Sequence, residues 1–164
     1  MNYVIIAPNI SGIGGAQQYT LRKLRFLCQN EIRVVVVTGN DDNIVLDELA
    51  KYPRFVISEI SFPIHLNSKK NASLVCSSLK NSLRREFGFA NNLVFDSATI
   101  ASGIWGDRMA REFDSLSFVY DINGTPLRTR EQAKFAAFKL SRGELIGCSK
   151  YSNQKLFANF PEYY

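Results

Sequence analysis

A doubly wound α/β domain built on a parallel central sheet is the fold class this sequence predicts, and three observations predict it. Short, continuously apolar runs recur along the chain, as in residues 3–7 and in Val34-Val35-Val36-Val37. Between them lie segments with apolar residues at helical spacing, such as Leu21, Leu24 and Cys28. The 164 residues make one ordinary domain, long enough to bury a core without staples. Strands that are β-branched on both faces belong to sheets covered by helices on both sides. Alternation of strand and helix then implies parallel pairing through right-handed crossovers.

Each element follows in order. Residues 3–7 read as a buried strand, and residues 17–28 as a helix with its stripe on Leu21, Leu24 and Cys28. Residues 33–38 are the second strand, broken by Gly39-Asn40-Asp41-Asp42, where Asp42 is placed to cap a short helix through residue 51. Residues 54–60 form a strand between Pro53 and Phe62-Pro63. Leu79, Leu83 and Phe87 give a helix over 68–87, and Gly88 ends it. A strand at 93–95 precedes a helix over 98–113, weakened by Gly103 and Gly106. Strand 116–120, helix 129–140 with Gly143 as its stop, strand 145–148 and a last helix capped by Ser149 complete the alternation.

Composition excludes several classes. The chain is 46% hydrophobic and 21% charged, which rules out a disordered or fibrous reading. No apolar run approaches the roughly 18 residues of a bilayer span, and residues 1–8 lack the basic start and apolar length of a signal peptide. A cytoplasmic protein is expected. Cys28, Cys76 and Cys148 are odd in number and widely spaced, so they read as buried, reduced thiols. The net charge is +5, concentrated in Arg22, Lys23 and Arg25 and again in Lys80, Arg84 and Arg85. No aromatic-interleaved RNA signature accompanies it. His65, the one histidine, lies in Phe62-Pro-Ile-His-Leu, away from the expected ligand edge.

In open parallel sheets a ligand lies outside the carboxyl ends of the strands. Residues 8–15, 39–42, 96–99, 121–128 and 149–151 are therefore expected on one rim. The first contains Gly12, Gly14 and Gly15 just ahead of the first helix. A helix amino end attracts phosphate, and glycine lets the backbone approach it; a plain flexible turn is the alternative. The dinucleotide fingerprint is incomplete, because Gln17 stands where its third glycine belongs, and no Gly-Lys-Ser/Thr follows as in a P-loop. No Asp-x-Asp lies on the rim, and no metal is expected.

"GIGGAQQYTLRKLRFL", "EIRVVVVTG", "SFVYDI" and "ELIGCSKYSNQKL" together resemble the amino-terminal, Rossmann-like half of GT-B glycosyltransferases, specifically the retaining GT4 family. The match in order and spacing runs over nearly the whole chain. The resemblance implies an acceptor-side domain over residues 1–160, the start of an interdomain linker at 161–164, and a second domain that is missing. Gly14, Gly15 and Ala16 would stabilise the diphosphate of a nucleotide-sugar donor. Asp121 would be the catalytic candidate, facing an acceptor hydroxyl. Asn9, Gln17, Tyr120, Asn123, Arg128 and Ser149 would hold a glycan or lipid-linked acceptor. Tyr120-Asp121 departs from the family's His-Asp. The nucleotide-sugar is a co-substrate, so no cofactor is implied, and the isolated half would not transfer sugar. Lys80, Arg84 and Arg85 would support peripheral contact with anionic lipid, and nucleic acid is not an implied partner. Two other readings stand beside it: a nucleotide-binding module with Asp41 or Asp42 on a ribose, and a non-catalytic interaction domain of the same fold.

Overall fold

The computed structural model describes residues 1–7, 14–38, 50–52, 55–58, 69–89, 92–121, 143–147 and 154. Among them run β1 (Asn2–Ala7), α1 (Gly15–Gln29), β2 (Arg33–Thr38), β3 (Phe55–Ser58), α2 (Lys69–Phe87), β4 (Leu93–Ser97), α3 (Ile100–Glu112), β5 (Leu116–Asp121) and β6 (Gly143–Gly147). The strands form one six-stranded sheet in the order β3-β2-β1-β4-β5-β6, and every pairing is parallel. This is the Rossmann-like, doubly wound architecture that the sequence predicts. The expected short helix to residue 51 and the helices at 129–140 and after Ser149 fall largely outside the described residues.

β1 is central because it is apolar on both faces: Val4, Ile5, Ile6 and Ala7 are all buried. Val4 stands opposite Val35 on one side and Phe95 on the other. Ile5, Ala7, Val34 and Val36 pack under Leu21, Leu24, Leu27 and Cys28 of α1. On the other face, Val4, Ile6, Val35, Val37 and Phe95 pack under Leu79 and Leu83 of α2 and Trp105 and Met109 of α3. Each helix buries one apolar stripe, and the sheet supplies both surfaces. Cys28 and Cys76 are free and buried, as expected, and burial pushes both thiols up.

Two expectations change. β6 begins at Gly143, two residues before the expected strand, and the helix expected ahead of it lies outside the described residues. Gly103 and Gly106, read as weakening a helix, let α3 approach the sheet. A Cβ at Gly103 would stand 2.5 Å from Val119, and one at Gly106 would stand 2.2 Å from the Ser97 hydroxyl. The propensity lost at these positions is offset by close helix–strand contact.

Candidate functional site

The chain leaves β1 for β2 on one side, while β4 lies on its other side. The crevice between the carboxyl ends of β1 and β4 is the topological switch point. A hydrogen bond from the Ala98 amide to the Ile6 carbonyl, 3.1 Å long, ties the two strand ends together. Among the described residues two helices, α1 and α3, begin at this switch point, and their amino ends differ.

α3 closes its own. Thr99 is the N-cap, and its Oγ1 accepts from the Ser102 amide at 3.2 Å. The Thr99 amide donates back to Ser102 Oγ at 3.0 Å. This reciprocal box satisfies two amides that a helix otherwise leaves open.

α1 has no such closure. Gly14 is the N-cap, no side chain caps the helix, and the first turn holds no acid. The first backbone bond runs from the Gln18 amide to the Gly14 carbonyl at 3.0 Å, so the amides of Gly15, Ala16 and Gln17 precede the intrahelical ladder. Gly14 and Gly15 are exposed. α1 contains Arg22, Lys23 and Arg25 and no acidic residue, so no side-chain charge of this helix opposes an anion at its amino end.

The two glycines serve different ends. The Gln17 carboxamide folds over Gly14, with its oxygen 2.4 Å from where a Cβ would stand. Gly15 has nothing within 4 Å of that point. Its φ is not positive either; among the described glycines only Gly88 is left-handed, at φ 66°. Neither packing nor backbone conformation accounts for glycine at position 15.

Beneath the rim sits a cluster that pattern reading misses. Asp96, on β4, is 2% exposed. Lys23 of α1 reaches it at 2.6 Å, and the Tyr3 hydroxyl donates to it at 3.1 Å. Burial pushes the Asp96 carboxyl above its ordinary value, and Lys23 and Tyr3 pull it back in part. Lys23 also lies 4.9 Å from the centre of the Tyr19 ring. The sequence places Asp96 on the open rim; the structure places it in an ion pair that fastens α1 to β4. The signal was one acid inside an otherwise apolar strand, since a buried charge needs a partner.

Of the expected site residues, Gly14, Gly15, Ala16 and Gln17 come together at the start of α1. Tyr120 and Asp121 end β5, two strands from β1. Asn9, Asn123, Arg128 and Ser149, with Asp41, Asp42, His65 and Cys148, lie outside the described residues. No group of three or more His, Cys, Asp or Glu that could hold a metal occurs among the described residues. No helix among them is long and apolar enough to cross a membrane.

No family model matches the chain, and no curated protein does. Among solved structures, the chain is similar to DNA processing protein A from Helicobacter pylori, described for its single-stranded DNA binding mode. The identity is 15% and the TM-score 0.45, over 99% of this chain and 82% of that one. These findings correct the glycosyltransferase reading. No comparison supports the GT4 assignment or the acceptor-half function, and both are withdrawn; the similar structure is described for single-stranded DNA binding. The nucleotide-sugar, glycan and lipid-linked partners, the lipid contact and the exclusion of nucleic acid go with them. The physical reason lies in what the matched segments have in common. A strand, a glycine-rich turn and a helix in repeating order belong to doubly wound sheets in general, whatever they bind.

Proposed function

We propose that this domain is a binding module that takes a phosphate-bearing ligand on the amino end of α1. One observation carries the reading: of the two described helices that begin at the switch point, α3 is closed by Thr99 and Ser102, while α1 is open, acid-free and flanked by glycine. Three amides and the positive end of the dipole make a site for a phosphate group. Gly15, with nothing within 4 Å of its Cβ position, leaves room for the oxygens to reach the backbone. The ligand's remaining part extends over the rim, where β4 and β5 end.

Calorimetric titration with pyrophosphate, a nucleoside monophosphate and a short oligothymidylate tests this and separates the sources of the phosphate. At least one probe binds the wild type. Gly14→Asp places a carboxylate where the phosphate sits and weakens that probe tenfold or more, because the new side chain caps the helix itself. Failure of all three probes, or equal binding by Gly14→Asp, would refute the proposal.

A further inference from the structure

Among the described helices, the strongest charge asymmetry is that of α2. α2 carries Lys69, Lys70, Lys80, Arg84 and Arg85 against a single acid, Glu86. It packs on the other face of the sheet from α1. Its carboxyl end leads into the start of β4, at the edge opposite the switch point.

α2 ends on Gly88, whose amide bonds the Arg84 carbonyl at 2.7 Å. Its left-handed φ of 66° makes this an αL cap. The residue after such a cap commonly packs an apolar side chain back on the helix. Here that residue is Phe89, and it is 89% exposed. One side of its ring meets the Arg84 guanidinium, 6.0 Å from the ring centre. Apart from Arg84, the ring stands in solvent rather than in the core.

Arg84 lies beside the ring, and Lys80, Arg84 and Arg108 all act on Glu112 of α3, so the basic groups of the two helices share one surface. Lys80 of α2 is ion-paired with Glu112 of α3. That bond holds the Glu112 carboxyl below its ordinary value, and Arg108 and Arg84 add to the effect through space. Arg84 and Arg85 are exposed and Arg108 is half-buried. Along α2 the exposed surface runs through Ser77, Ser78 and Asn81, which are uncharged hydrogen-bonding groups.

We infer that the α2–α3 surface around Arg84, Arg85, Arg108 and Phe89 binds a single-stranded nucleic acid, with a base stacked on Phe89 and the backbone phosphates on the arginines. An aromatic platform beside a basic groove is how unpaired strands are held without sequence preference. The Arg84–Phe89 pair supplies both parts, since a guanidinium plane stacks on bases and binds phosphate. A lipid surface fits less well. Leu74 and Phe89 are the exposed apolar residues of this region, and polar Ser77, Ser78 and Asn81 separate them. A membrane-lying helix needs a continuous apolar face.

Fluorescence anisotropy of a labelled twenty-nucleotide oligothymidylate, with the full chain, tests the inference. The wild type binds, and three phosphate contacts give a log–log salt slope of about −2, so affinity falls about sixteenfold between roughly 50 and 200 mM salt. Phe89→Ala weakens binding about tenfold at unchanged slope, because it removes stacking and no charge. Arg84→Gln with Arg85→Gln weakens it and flattens the slope. Glu112→Gln releases Lys80 and tightens it. All four side chains are on the surface, and thermal unfolding verifies that each variant is folded. A Gly14→Asp control reports on the α1 site alone, so failure of one site is distinguishable from failure of the other. No binding by the wild type, unchanged affinity in Phe89→Ala, or variant-sensitive binding to phosphatidylserine vesicles without oligonucleotide binding would each overturn the inference.

Discussion

At the residue scale, Asp96 shows how a buried charge is tolerated. Its partners come from 73 and 93 positions away in sequence, which is why no local pattern reveals the cluster. Desolvation prevails over Lys23 and Tyr3 and raises the folded-state carboxyl above an unfolded value of about 3.9. The native state therefore holds this proton more tightly than the unfolded chain, and stability falls as pH rises between the unfolded and the raised folded value. Asp96→Asn removes this contribution. Urea unfolding of both proteins from pH 4 upward should show the wild type losing stability relative to Asp96→Asn as pH rises. A difference constant with pH, or of the opposite slope, would contradict the assignment. Gly103 gives a second residue-scale prediction. Val119 is fully buried and stiff, so the Cβ of Gly103→Ala overpacks the α3–β5 contact and costs about 1–3 kcal/mol. Helix propensity alone forecasts stabilisation by Gly103→Ala, and the melting temperature decides between them.

At the element scale, the two rim helices predict opposite responses. Thr99→Ala removes the α3 N-cap acceptor and costs about 1 kcal/mol, a drop of about 2–4 °C in Tm for a chain of this size. Gly14→Asp gives α1 the cap and first-turn acid it lacks and adds a few tenths to about 1 kcal/mol. The Gln17 carboxamide is the end of a flexible side chain and moves aside. A variant that gains stability while losing phosphate is the mark of a binding site kept open at the helix's expense. Helices and strands with strong periodicity were legible from the sequence: α1 begins two residues before its expected start, and β2 occupies its expected range. The role of Gly103 and Gly106 was not legible. It depends on the distance between α3 and two strands, which is a tertiary quantity. The Thr99–Ser102 box was also missed, since serine stands where the usual glutamate or glutamine would mark it.

At the scale of the whole molecule, the order of strands follows from which segments are apolar on both faces. β1 takes a central position, between β2 and β4, because nothing polar interrupts its run from Val4 to Ala7. β4 tolerates Asp96 because α1 brings Lys23 to it. The parallel sheet was thus readable in advance, and so was the glycine pair at the start of α1. The ligand class was not, because the glycine turn and the alternating order belong to the architecture and not to one chemistry. The surface at the far end of α2 was visible in sequence only as a charge cluster; the exposed Phe89 ring beside Arg84 emerges from the cap geometry. The most direct test of α1 as the phosphate site is a two-dimensional amide NMR titration of the isotope-labelled protein with pyrophosphate, run on the wild type and on Gly14→Asp. The Gly15, Ala16 and Gln17 amides should show the largest saturable shifts in the wild type, and these should vanish in Gly14→Asp while the rest of the spectrum stays folded. Shifts that spare these three amides, or that persist unchanged in Gly14→Asp, would contradict the assignment of α1 as the phosphate site.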